Sequence, residues 1–151
     1  MRALLQRVSR AEVRVEGSAV GSIGPGLVVL LGIGHGDDDG TADALAQRVA
    51  ELRIFEDAAG RTNLSLLDVG GSALVVSQFT LYADASHGRR PGFAAAAAPD
   101  VAEALYERVR SGLRAAGVAR VDGGRFGAAM EVELVNDGPF TIWLDTARDH
   151  S

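Results

Sequence analysis

Three patterns in this chain converge on an α/β fold: a single, mixed, strand-rich domain with two amphipathic helices packed on sheet. Arg2 to Val15 alternates, with Ala11, Val13 and Val15 facing one way and Glu12 and Arg14 the other, the period of a half-buried strand. Leu27 to Ile33 carries no charge and reads as a central strand buried on both faces. Two later stretches repeat apolar residues at helical spacing. A length of 151 residues fits one domain, residues 1–151.

Taken in order, Arg2 to Val15 forms two strands or one long bent strand, and Gly17-Ser18 turns the chain. Ser18 to Ile23 is a short strand, and Gly24-Pro25-Gly26 a second turn into the central strand. Gly34 to Gly40 is a loop. Thr41 or the preceding Asp residues cap a helix from about Ala42 to Arg53, with Leu45, Val49 and Leu52 on one stripe. Glu56 to Asn63 is polar and loop-like, and Leu64 to Val69 is ambiguous, read here as a short strand. Ala73 to Val76 is a buried strand that delivers Ser77 to Leu81 at its end. Asp84 to Ala98 is a long irregular stretch, the kind that in a compact domain is functional or disordered. Pro99 starts a helix over Asp100 to Ala115, with Val101, Leu105, Val109 and Leu113 in register and Gly117 just past its end. Val118 to Val121, Met130 to Val135 and Phe140 to Leu144 complete the strands.

Composition removes several kinds of chemistry. No cysteine is present, so neither disulfides nor a thiolate metal site is available. All 15 basic residues are Arg. Without Lys there is no Schiff base and no phosphate-binding P-loop. The net charge of -5 has the wrong sign for a non-specific nucleic-acid binder, so such a partner must be met by a local Arg patch. The longest apolar run falls far short of the ~20 residues of a membrane span, and the Arg-studded start is unlike a signal peptide. A soluble cytoplasmic protein without membrane contact is expected.

The stock motifs fail. Gly32-Ile33-Gly34-His35-Gly36 sits between strand and helix, but the third glycine of a dinucleotide loop is Asp37 or Asp39 in either frame. Asp37-Asp38-Asp39 lacks the ligand spacing of a calcium loop and reads as a solvated helix start. His35, His87 and His150 are scattered, without a zinc-binding pair. No metal or cofactor is expected. Ala94 to Ala98 reads as a small-residue bridge without chemistry.

What remains lies at strand ends. Ser77-Gln78-Phe79-Thr80-Leu81 puts two hydroxyls and an amide where a buried strand emerges, a common place for a site. Asn136-Asp137-Gly138-Pro139-Phe140-Thr141 interrupts a strand-forming run. Pro donates no N–H and Gly admits angles closed to other residues, so the pair makes a tight turn with carbonyl oxygens to spare. Such oxygens can capture an ammonium group. Each segment alone is compatible with plain structure: local backbone satisfaction for the first, a hairpin turn for the second.

Together, and in a colinear context, they resemble the D-aminoacyl-tRNA deacylase family (D-tyrosyl-tRNA(Tyr) deacylase). The likeness covers nearly the whole chain. It takes in Leu5-Gln6-Arg7-Val8, Arg53-Ile54-Phe55, Asn63-Leu64, Gly71-Ser72, Val75 to Leu81, Arg90-Pro91, Ala104-Leu105-Tyr106, Gly124-Arg125-Phe126 and Leu134 to Pro139. The resemblance implies a homodimeric hydrolase of the ester between a D-amino acid and tRNA, with glycyl-tRNA as a second substrate. It implies a cis Gly138-Pro139 peptide inserted across the interface into the partner's pocket. There the two carbonyls would hold the substrate's α-ammonium, so that a D side chain points to solvent and an L side chain collides with the turn.

Candidate catalytic residues are Ser77, Gln78, Phe79 and Thr80. Thr80 is either the nucleophile or a positioning group. The resemblance favours the latter, with backbone N–H groups of Gln78 to Thr80 as oxyanion donors and the terminal 2′-hydroxyl of the tRNA assisting. No His or Lys lies nearby in sequence to activate a nucleophile. Gly138, Pro139, Phe126, Met130, Arg7 and Asn136 are the expected substrate-binding set, with Arg7 bracing the turn across the interface. Arg89 and Arg90 are the expected tRNA phosphate contacts. Phe140, Gly92 and Ala129 depart from the family's usual residues and bear on substrate range. Two rival functions stay open: a non-catalytic amino-acid-sensing module, and a general esterase with Thr80 as nucleophile.

Overall fold

Most of the sheet is organised around its first strand. The computed structural model describes residues 1–149, so His150 lies outside the described residues. Strand β1 (Arg2–Val15) is one continuous strand. On one side its second half pairs antiparallel with β2 (Ser18–Ile23) and its first half with β3 (Gly26–Gly32). Helix α1 (Asp39–Glu51) follows, then a small hairpin of β4 (Phe55–Glu56) and β5 (Thr62–Leu64), helix α2 (Leu66–Val69) and strand β6 (Ser72–Ser77). A single 3₁₀ turn spans Phe79–Tyr82. Helix α3 (Pro99–Ala116), strand β7 (Val121–Gly123) and strand β8 (Glu131–Asp145) complete the chain. The sheet order is β2-β1-β3-β6-β7, with β8 on the other side of β1. β3, β6 and β7 run parallel. The sheet curls until Gly21 of β2 abuts the Gly123 carbonyl of β7, so close that a Cβ at Gly21 would strike it.

Two cores result, one on each face. Leu27, Val29 and Leu31 of β3 and Ala73 and Val75 of β6 face α1 and α3. Val28, Leu74 and Val76 point the other way, with Val8, Ala11, Val13 and Ile23. The alternation is the pleat of a strand buried on both faces. α3 buries Ala102, Leu105, Tyr106, Val109 and Leu113 along one stripe, each large apolar side chain contributing about 1.5–3 kcal/mol. Asp38 caps α1, accepting from Thr41 N–H at 2.9 Å.

Four expectations are corrected. Leu64 to Val69 is not a strand. Ser65 accepts from Asp68 N–H at 3.1 Å and the Asp68 carboxylate accepts from Ser65 N–H at 2.9 Å, a capping box that starts a short helix. Glu56 to Asn63 is not wholly loop, because its ends pair in the β4–β5 hairpin. Asp37 is not a solvated helix-start residue: it bonds the buried Met1 ammonium at 2.7 Å and the Gly34 N–H at 2.7 Å. Finally, the two last strands are one. Both sides of Gly138-Pro139 pair with β1, Asn136 opposite Val8 and Thr141 opposite Gln6. The chain does not reverse there. It bulges out of a continuous strand because five steps on β8 span two on β1.

Candidate functional site

The strand-end segment is held by backbone. β6 runs buried through Val76, and its last pairing is Gln78 N–H to Leu31 O at 2.8 Å. The chain then tightens into the 3₁₀ turn, with Leu81 N–H to Gln78 O at 3.2 Å and Ala83 N–H to Thr80 O at 3.0 Å. The start of this turn has no side-chain cap, so the Phe79 and Thr80 amides have no intrahelical partner. Of the three amides expected to act as donors, Gln78's is therefore already used. The Gln78 side-chain amide donates to the Thr80 hydroxyl. Arg2 anchors the turn from behind, donating to Leu81 O at 2.9 Å and stacking over Tyr82 at 4.4 Å.

This segment forms one wall of a cleft of about 630 Å³. Ser77, Gln78 and Phe79 line it together with Phe126 and Met130. Phe93, Ala96 to Pro99, Val76 and Val132 also line it. Three alanines of the small-residue bridge, Ala96, Ala97 and Ala98, thus line the cleft. They are laid against the end of β3 by Ala97 N–H to Ile33 O at 3.0 Å and His35 N–H to Ala95 O at 3.3 Å. Phe93 meets Phe79 edge to face at 5.1 Å. An alanine run has no periodicity to betray such a role.

Among the described residues, none that lines the cleft has a titratable side chain. Tyr82, two residues beyond Thr80, is pushed up to about 12, chiefly by burial and then by Asp37, so its phenol stays protonated at neutral pH. Thr80 is exposed beside the cleft rather than lining it. Among the described residues no three His, Asp or Glu side chains gather as a metal site, and no helix is long and apolar enough to cross a membrane.

The second segment lies outside this cleft's lining and is held by side chains. Gly138-Pro139 is a cis peptide with Gly138 at φ 123°. Asn136 straps the bulge: its amide donates to Arg7 O at 2.9 Å and to Phe140 O at 3.0 Å, and its oxygen accepts from the Thr141 hydroxyl at 3.2 Å. Arg7, only 5 % exposed, donates to Asp137 O at 3.2 Å and Ile54 O at 2.8 Å. Its Nε lies 3.5 Å from the Asp137 carboxylate, and Phe140 covers it with the ring 4.8 Å away. The bracing expected across an interface is thus made within the chain, because the Gln6–Val8 register shift brings Arg7 under the bulge. Gly138 and Pro139 themselves stand exposed.

Arg89 and Arg90 are exposed on a loop whose neck is a two-bond bridge, Asp84 N–H to Gly92 O at 2.7 Å and Gly92 N–H to Asp84 O at 2.9 Å. Arg125 is exposed next to Phe126 on the cleft.

A family model described as D-Tyr-tRNA(Tyr) deacylase matches residues 4–145. A D-aminoacyl-tRNA deacylase of Thermomicrobium roseum is 63% identical over 97% of this chain and 95% of its own. One from Paracoccus denitrificans is 60% identical over 97% and 98%. A solved structure described as a c-Myc DNA unwinding element binding protein superposes with TM-score 0.91 at 38% identity, over 97% of this chain and 99% of that one. With a family model spanning nearly the whole length and relatives at this identity, the chain belongs to the D-Tyr-tRNA(Tyr) deacylase family.

Proposed function

We propose that the protein hydrolyses the ester linking a D-amino acid to the 3′ end of tRNA, and the corresponding glycyl ester, working in the cytoplasm where charged tRNA is found. What supports this reading is the family match over residues 4–145, together with a cleft at the polar strand end and an exposed Gly138-Pro139 turn. Among the described residues the lining of this cleft offers no base, and such a lining suits an ester that brings its own neighbouring hydroxyl. Phe79 and Thr80 N–H groups stabilise the oxyanion, and the 2′-hydroxyl of the terminal ribose assists attack by water. Thr80 positions substrate through the hydroxyl that Gln78 holds. An unactivated threonine is a poor nucleophile.

Handedness is read by a second copy of the chain. In a homodimer the exposed Gly138-Pro139 turn of one subunit enters the cleft of the other. The bonds that hold the turn go to the carbonyls on either side, Asp137 and Phe140, so the Gly138 and Pro139 carbonyls are left to accept from the substrate's ammonium. Charge-assisted bonds of this kind contribute about 1.5–3 kcal/mol each. With ammonium and ester fixed, a D side chain leaves toward solvent and an L side chain meets the turn. Glycine passes because it has no side chain. Phe126 and Met130 wall the site, and Arg89 and Arg90 meet tRNA phosphates.

Purified protein incubated with D-tyrosyl-tRNA, L-tyrosyl-tRNA and a simple ester tests the proposal. Release from the D form alone supports it. Release from none indicates an amino-acid-sensing binder, and release from all indicates a general esterase.

A further inference from the structure

We infer that Phe140 is a positioning residue that sets how sharply the protein tells D from L substrates, by clamping Arg7 beneath the Gly138-Pro139 turn. The inference rests on the reading of that turn as the gauge of handedness. Arg7 is buried, yet its one carboxylate neighbour, Asp137, is 60% exposed, so a counter-ion in water does little to fix it. Its two hydrogen bonds run from Nε and Nη1 to main-chain carbonyls of two separate segments. The flat face is covered by the Phe140 ring at 4.8 Å, the geometry in which an aromatic face holds a cation.

Phe140 also ties the turn to the body of the protein. Its ring packs against the helix-side core, and its carbonyl is pinned by Asn136. The turn folds back on both partners. A Cβ built on Gly138 would lie 2.7 Å from Arg7 Nη2, 3.2 Å from Phe140 N and 3.4 Å from Phe140 Cβ. Arg7 thus lies directly against Gly138 and bonds the carbonyl that precedes it, while Phe140 covers its face. An aliphatic residue at 140 fills apolar space but offers no π face. The guanidinium is then free to swing toward Asp137 and solvent, and the carbonyls above it lose their fixed aim.

The test compares deacylation of D-tyrosyl-tRNA and L-tyrosyl-tRNA, as the ratio of kcat/KM values, in Phe140→Tyr, Phe140→Leu, Phe140→Val and Gly138→Ala proteins whose folding is checked by circular dichroism. Phe140→Tyr keeps the wild-type ratio, since the aromatic face is retained. Phe140→Leu and Phe140→Val lower it by about tenfold, the scale of one cation–π contact. A merely structural role for Phe140 lowers the melting temperature without moving the ratio. An unchanged ratio in folded Leu and Val proteins, with a collapsed ratio in Gly138→Ala, overturns the role of Phe140 alone. An unchanged ratio in Gly138→Ala as well overturns the turn as gauge, and this inference with it.

Discussion

The cleft and the turn are built on opposite plans. Around the cleft, the groups proposed to act are main-chain amides at the end of a buried strand, the lining is mostly apolar, and among the described residues no lining side chain can titrate. At the turn, the backbone is exposed, its flanks pair with β1, and the bulge between them is held by side chains: Asn136 as a strap, Arg7 as a brace and Phe140 as a cover. A site made of backbone is hard to damage by substitution. A site held by three side chains is easy to damage. Catalysis and selectivity should therefore separate under mutation, with the turn variants losing discrimination and the strand-end variants losing modest amounts of rate.

The largest effect is expected for Arg7→Ala. It leaves two carbonyls, Ile54 O and Asp137 O, without their charged donor, and bonds to charged groups count for about 1.5–3 kcal/mol each. A drop of about 3 kcal/mol in unfolding free energy by urea titration is expected, with L-tyrosyl-tRNA hydrolysis rising toward the D rate. Arg7→Lys does not rescue, because an ammonium cannot fork to two carbonyls while stacking on a ring. If Arg7→Ala left both stability and selectivity intact, the contrast between the two regions would fail.

Asn136→Ala comes next. It cuts the strap to Arg7 O and Phe140 O, costing about 1–3 kcal/mol for acceptors left in a partly buried setting. Selectivity should fall further than the D-ester kcat.

These side-chain roles also mark where reading the residues in order runs out. The central strand, α1, α3 and the Ser77–Leu81 strand end were legible because burial imposes periods of two or 3.6 on apolar residues. The β4–β5 hairpin and α2 were not. In α2 the signal was present in Ser65 and Asp68, but it is a pair of polar residues three apart, not a stripe. The continuity of β8 was hidden because Gly-Pro locally favours reversal, and only pairing of both flanks with β1 decides otherwise. Arg7 reaching Ile54 O joins residues 47 apart, and no local pattern encodes that bond.

Within the cleft the expected effects are smaller. Thr80→Ala should lower kcat by about tenfold, the worth of one neutral hydrogen bond, and Thr80→Ser should restore most of it. Complete loss of turnover in Thr80→Ala, with tRNA affinity unchanged, would instead make Thr80 the nucleophile. Phe79→Ala should raise KM and cost only about 0.5–1.5 kcal/mol of stability from the lost edge-to-face contact with Phe93.

The smallest expected effect is the response to pH, and it distinguishes the two regions without any mutation. The cleft lining carries no titratable group, and Tyr82 close by is pushed up to about 12. No protein group should then bend the rate profile between pH 5 and 9. The turn, by contrast, is proposed to hold its ligand most strongly when that ligand is charged, since hydrogen bonds from an ammonium are roughly twice as strong as those from a neutral donor. An α-amino group titrates near 7.7–8.0, so kcat/KM should fall through one inflection as pH rises past the substrate's own value. The same D-ester with a hydroxyl in place of the amino group should show no such inflection, and a weaker kcat/KM throughout. An inflection that survived in the hydroxyl ester would belong to the protein, and would place a titrating group in the cleft after all.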